Sequence, residues 1–273
     1  MKKNSKLLSA PYTIWMILFI IVPMILVAGF AFTDKSGNFT LNNIVFVGQY
    51  SNVFLRSIWL GAIATTISLL LGYPLAYIIA KMTEKQQNMM VLLVMLPMWM
   101  NFLLRTYSWM TLLENNGIIN NILSAVGLPR AQMINTAGAV VLGMVYNYIP
   151  YMILPLYSIL TKMDQNVIEA AQDLGADNKR VFLKVILPMS MPGVISGITM
   201  VFVPAVSTFI ISKMLGGGAN LLIGDLIDMQ FLGSAYNPNL GSAISLVLMV
   251  IILICMGIMN QFDENDEVGG VMI

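Results

Sequence analysis

Histidine does not occur in this sequence of 273 residues, cysteine occurs once, and charged residues make up only 10% of it. The missing histidine removes the commonest general base and metal ligand, and with it every Ser-His or Cys-His nucleophile arrangement. The lone Cys255 lies in an apolar run, so an intrachain disulfide is excluded and no thiolate cluster is available for a metal. No Gly-Lys dipeptide occurs, which excludes the phosphate-cradling loop of P-loop ATPases from this chain. A net charge of +1 offers no basic footprint for nucleic acid.

What is present is apolar. The chain is 58% hydrophobic, with a mean hydropathy of +0.81. Soluble domains carry about a quarter charged residues, and the solvent that tolerates this much apolar surface is lipid. A helix crossing about 30 Å of hydrocarbon needs roughly 20 apolar residues, because lipid offers no partner to exposed backbone groups. Six segments meet that requirement: residues 12–32, 58–80, 89–113, 137–160, 193–212 and 242–260. Arg105 is the one formally charged side chain within them. The fold class expected is an all-α polytopic membrane protein with six transmembrane helices in a single membrane domain, with no appended soluble catalytic module. The first span follows Lys2, Lys3 and Lys6, and its apolar run is about twice a typical signal core, so it is expected to remain as a helix.

Lysine and arginine counts set the orientation. With both termini cytoplasmic, the inner side holds Lys2, Lys3, Lys6, Lys81, Lys85, Lys162, Lys179, Arg180 and Lys184. The outer side holds Lys35, Arg56, Arg105, Arg130 and Lys213. The acidic tail Asp263, Glu264, Asp266 and Glu267 carries little weight in this rule.

On that topology the longest cytoplasmic connection is residues 161–192. Asp164 is placed to N-cap a helix with Val167, Ile168, Ala171 and Leu174 on one face, and Gly175 stands where a left-handed C-cap is wanted. Asp177 is placed to cap a second helix with a stripe of Val181, Phe182, Val185 and Ile186, which Pro188 is expected to stop. Glu169, Ala170 and Ala171 are followed after three residues by Gly175, and after nine more by Val185, Ile186, Leu187 and Pro188. This wording resembles the EAA loop of binding-protein-dependent ABC importer permeases, E-A-A, three residues, G, nine residues, I-x-L-P, with Val185 standing for the isoleucine.

The resemblance implies a type I importer permease architecture, MetI-like, in a bacterial inner membrane. It implies that Glu169, Ala170, Ala171, Asp173, Gly175, Val185, Leu187 and Pro188 belong to a coupling segment seated in a groove of a separate ATPase subunit. The other parts it implies are a pair of ATPase subunits, a second homologous permease and an extracytoplasmic solute-binding protein. ATP and magnesium would sit on the ATPase and no cofactor on this chain. Two adjacent alanines leave a flat face for close approach, Gly175 permits the reversal, and Glu169 offers a carboxylate to a cationic partner residue. Strings such as 71–74, 101–107, 152–158 and 217–224 narrow the resemblance to spermidine/putrescine permeases of the PotB type; the acidic tail departs from the basic residue expected there.

A polyamine carries ammonium groups on an apolar chain, so its path should offer aromatic faces and oxygen acceptors. Trp99, Asn101, Tyr107, Tyr146, Asn147, Tyr148 and Tyr151 are the candidates in the third and fourth spans, with both asparagines near mid-span. The competing reading makes the asparagines interhelical glue and the aromatics packing or interfacial belt. Arg105 is expected to snorkel to the outer headgroups. Asp225 and Asp228, three apart on a short outer helix, offer either paired carboxylates for an entering substrate, or a cap and an ion pair with Lys213. Gly193 and Gly197 read as close helix packing. The alternatives are a permease for an amino acid, thiamine or an oxyanion, and a stand-alone secondary transporter. The spans offer an oxyanion only Arg105, and they lack the intramembrane carboxylates or histidines that ion coupling usually needs.

Overall fold

A computed structural model describes residues 11–269 other than 219 and 234, and the side chains among them other than 260 and 262–269. Lys2, Lys3 and Lys6, and the acidic side chains of the tail, therefore lie outside the described residues. In chain order the helices are α1 (Pro11–Ala31), α2 (Asn42–Ala80), α3 (Glu84–Trp99), α4 (Phe102–Leu113), α5 (Ile118–Ala125), α6 (Ala137–Leu160), α7 (Gln165–Asp173), α8 (Asn178–Met189), α9 (Met191–Ser207), α10 (Ile210–Leu215), α11 (Ile223–Phe231) and α12 (Pro238–Gly269).

Among the described residues, four stretches are long and apolar enough to cross a membrane without a break: Pro11–Ala31, Asn42–Ala80, Ala137–Leu160 and Pro238–Met259. Two bent pairs bring the number to six when each is taken as one crossing: Glu84–Trp99 with Phe102–Ala125, at 87°, and Asn178–Met189 with Met191–Ser207, at 62°. The expectation of one unbroken helix over 89–113 is thus corrected. The chain leaves α3 through a 3-10 turn at Leu96–Trp99, is extended at Met100, and restarts at Asn101, whose side-chain oxygen accepts from the Leu103 amide at 2.8 Å. The span expected over 193–212 also ends early, because Thr208 is extended and α10 is a separate helix.

Prolines are absorbed here rather than obeyed as stops. A proline inside a helix has no N–H for the carbonyl four residues back, and its ring crowds that carbonyl. Ahead of Pro23 the Val22 amide reaches Ile17, and ahead of Pro188 the Leu187 amide reaches Phe182, five residues back in each case. The wider turn makes room for the ring, so the helix continues. Pro188 therefore does not stop the second loop helix, which runs on to Met189 before the bend at Ser190.

The core gathers around α2, α6 and α9, which make the most extensive helix pairings. Met144, Met152 and Leu156 of α6 are fully buried against Ala64 and Ala76 of α2 and Val201 of α9. Gly197 lets α9 approach: a Cβ there would lie 2.7 Å from Met152 Sδ and 3.3 Å from its carbonyl oxygen, and one at Gly193 would lie 3.2 Å from the Pro155 carbonyl. In lipid such close backbone approach supplies the dispersion contacts that hydrophobic driving force cannot. A second cluster joins Ala31, Val47 and Phe54 to Ile223, Leu226, Ala243 and Ile244, so α1, α11 and α12 pack as a group beside the first.

Candidate functional site

The loop between α6 and α9 is built from two capped helices. Asp164 Oδ1 accepts from the Asn166 amide at 2.9 Å and starts α7. Gly175 ends it at φ +84°: the Gly175 amide donates to the Gln172 carbonyl at 2.8 Å and the Ala176 amide to the Ala171 carbonyl at 3.1 Å. These two bonds form a Schellman cap, which satisfies carbonyls the helix end leaves free. Asp177 Oδ1 accepts from the Arg180 amide at 3.0 Å and starts α8.

Only part of α7 faces the bundle. Ile168 and Ala171 pack against the main core, whereas Glu169, Ala170 and Asp173 are exposed. Leu174, grouped by spacing with Ile168, is 90% exposed, because the Schellman turn carries it past the end of the packed face. The loop is anchored through α8. Val181 and Ile186 are buried, Phe182 meets the rings of Tyr73 and Tyr77 edge-on at 5.7 and 5.8 Å, and the Tyr73 and Ser190 hydroxyls are 2.7 Å apart. Val185 and Leu187 are half-buried beside this contact and Pro188 is exposed.

The polar candidates of the third and fourth spans separate into two sets. Trp99, Asn101 and Tyr107 are exposed, and Asn101 caps α4 instead of lying in mid-helix as expected. Trp109 of α4 packs edge-on against Tyr146 at 5.4 Å. Asn147 is 2% exposed; its amide donates to the Gly143 carbonyl at 2.8 Å, and its Oδ1 has no partner among the described residues. Tyr148, buried next to it, lies 6.5 Å from Tyr151, ring to ring, and also neighbours Thr208 and Arg105.

Arg105 corrects the expectation that it snorkels. It is 7% exposed, with its guanidinium 5.9 Å from the Phe102 ring, and its Nε and Nη1 have no hydrogen-bond partner among the described residues. The 87° bend turns α4 back onto α10 and α6, and the guanidinium goes with it into the interior.

At the far end of α9 from the loop, α11 holds both aspartates and α10 holds Lys213. The Asp225 Oδ2 accepts from the Leu222 amide at 2.9 Å, and the Ile223 amide donates to Ser57 of α2 at 2.9 Å, which fixes the start of α11. Asp225 is 6% exposed and its Oδ1 has no partner among the described residues. Burial raises its pKa above the ordinary aspartate value, against the pull of the Leu222 amide, the neighbouring Ser212 and the Lys213 ammonium. Asp228 pairs with Lys213 Nζ at 3.0 Å. Both aspartates, Ser212, Lys213 and Asn220 border a cavity of about 250 Å³. The cap and the ion pair foreseen as the alternative for this helix are therefore both formed.

Residues 72–264 match the family described as binding-protein-dependent transport system inner membrane component. The chain belongs to that family. The spermidine/putrescine transport system permease protein PotB of Haemophilus influenzae is 39% identical to this permease over 259 residues, 91% of this chain and 90% of that one. The protein of the same description from Escherichia coli is 36% identical over 247 residues, covering 87% of this chain and 90% of its own. Among solved structures, a bacterial ABC transporter that imports the acidic polysaccharide alginate superposes with a TM-score of 0.77 over 96% of both chains, at 21% identity. That likeness is one of fold.

The permease also holds site residues that sequence reasoning passed over. Thr208 and Ser212 are drawn beside Tyr148 and the aspartates by the early end of α9, and both fall inside the stretch 193–212 read as one continuous span. Tyr73 and Ser190, 117 positions apart, carry no local signal of their contact.

Proposed function

We propose that this permease carries polyamines, spermidine and putrescine among them, inward across the bacterial inner membrane, as one of two permeases around a shared path. ATP and magnesium act on a pair of partner ATPase subunits, and an extracytoplasmic binding protein delivers the solute. Both termini and the α7–α8 loop face the cytosol, in keeping with nine basic residues on that side against five on the other. Support for the substrate comes from relatives named spermidine/putrescine permeases that align over most of the chain. Buried oxygen acceptors, those of Asn147 and Asp225, agree with a cationic cargo.

The observation that carries the coupling reading is the split face of α7. Ile168 and Ala171 hold the helix to the bundle while Glu169, Ala170 and Leu174 are presented outward, on a segment rooted through Phe182 and Ser190 in α2. A push on α7 is thereby delivered to the core helices, and rocking of those helices alternates access to the path.

Reversing the charge at Glu169 tests this. In Glu169→Lys, the permease is expected to insert in the membrane at wild-type levels, yet spermidine uptake and copurification of the ATPase are both lost. Unchanged uptake would refute the role given to that carboxylate.

A further inference from the structure

Lys213 ends in a primary ammonium on a flexible alkyl chain, the same group that ends an aliphatic diamine. Its Nζ donates to Asp228 Oδ2 at 3.0 Å, and its own side chain is exposed while that of Asp228 is largely covered. The lysine thus reaches in from solvent over a carboxylate that belongs to the protein interior. One turn earlier on α11, Asp225 has one oxygen held by the Leu222 amide, and the other is buried without a donor among the described residues, because the neighbouring Ser212 hydroxyl gives its proton to the Phe209 carbonyl at 3.0 Å. A buried carboxylate oxygen without a donor is costly, and its persistence calls for an explanation beyond capping. Both carboxylates border the cavity of about 250 Å³, which Asn220 also lines.

We propose that this cavity is a primary-ammonium subsite in which Lys213 stands in for the terminal amine of the cargo. An arriving alkylammonium takes Asp228 from Lys213 and donates to the Asp225 carboxylate, which turns its covered Oδ1 toward the cavity. The exchange is cheap, because an ion pair with an exposed lysine contributes little and the incoming group replaces it in kind. It also supplies the donor that Asp225 lacks, and an ammonium beside that carboxyl favours its ionised form. When the cargo moves on, Lys213 returns, so the paired carboxylates are not left open to inorganic cations. This inference rests on the polyamine reading for its physiological ligand.

The test uses the assembled transporter in nanodiscs and equilibrium binding of radiolabelled 1,4-diaminobutane. Removing the stand-in with Lys213→Met is expected to tighten binding by roughly threefold to tenfold, the scale of one partly exposed ion pair. Asp225→Asn, which retains an oxygen for the Leu222 amide, is expected to weaken it by a similar factor. Labelling of wild-type Lys213 by an amine-reactive ester, taken relative to exposed Lys35 in the same digest so that ester consumed by the diamine cancels, is expected to rise when 1,4-diaminobutane is added, since the displaced lysine moves to solvent; this readout needs no variant to fold. Unchanged binding in both variants, or labelling that stays level or falls, would overturn the subsite. Spermidine uptake by the wild-type assembly separates the two readings. No uptake together with diamine-dependent labelling removes the polyamine reading and keeps the subsite; uptake with no labelling change does the reverse.

Discussion

The Tyr73 hydroxyl lies 2.7 Å from the Ser190 hydroxyl, joining the interior of α2 to the bend where α8 meets α9. Ser190 donates its own proton to the Leu187 carbonyl at 2.9 Å, so Tyr73 is the donor in the pair. Phe182 packs against the same tyrosine ring, which makes Tyr73 the point where the loop is held by a polar and an aromatic contact together. A loop that transmits force needs such a root, because a hinge attached only through its own backbone would yield before the helices moved.

Tyr73→Phe keeps the ring contact and removes the hydroxyl. Ser190 remains bonded to Leu187, so no buried donor is orphaned, and the loss should be about 1 kcal/mol. The expected outcome is an assembled transporter with near-normal basal ATP hydrolysis and severalfold less spermidine moved per ATP. Hydrolysis and uptake measured in the same proteoliposomes check this.

Gly175 is required for its backbone. A Cβ at this position meets nothing within 4 Å, so a substitution is penalised by φ +84° alone. An L-residue held in that region costs roughly 1–2 kcal/mol, less for asparagine and more for a β-branched side chain. Gly175→Val should therefore abolish most uptake by misdirecting the chain between α7 and α8, while Gly175→Asn keeps most of it. Both variants should retain the melting temperature of the bundle in detergent to within a few degrees.

Burial raises the pKa of Asp225, and the sign of its contribution follows. Between the ordinary aspartate value and the raised one, the folded chain holds a proton that the unfolded chain releases, so stability falls as pH rises through that window. Asp225→Asn keeps an acceptor for Leu222 and removes the titration. In thermal melts of detergent-solubilised protein without polyamine, the variant should lose this part of the pH slope and should be no less stable than wild type above the window.

The local signals were legible in the sequence because they act over a few residues. Asp164, Asp177 and Gly175 cap and terminate the loop helices by bonds to neighbours two to five positions away, and residue type alone proposes those bonds. The bend at Asn101 was not legible from hydropathy, since the chain is apolar on both sides of it and hydropathy reports composition, not direction. Pro97 followed by a capping asparagine was the available signal. Arg105 was misplaced as a consequence: on a straight helix it would reach the headgroups, and on α4 as folded it points into the bundle. The oxygens of Asn147 and Asp225 that lack a partner among the described residues depend on tertiary packing and have no sequence signature.

Leu174 gives the most direct measurement of the central claim, that α7 is a cytosolic handle gripped by an ATPase. At 90% exposure it is a sound place for a reporter, and the sole native cysteine, Cys255, sits within the last span. In a Leu174→Cys, Cys255→Ser background, an impermeant maleimide should label inside-out vesicles and leave right-side-out vesicles unlabelled, and adding the ATPase subunit should protect the thiol. Labelling from the outer face, or no protection by the ATPase, would contradict the account.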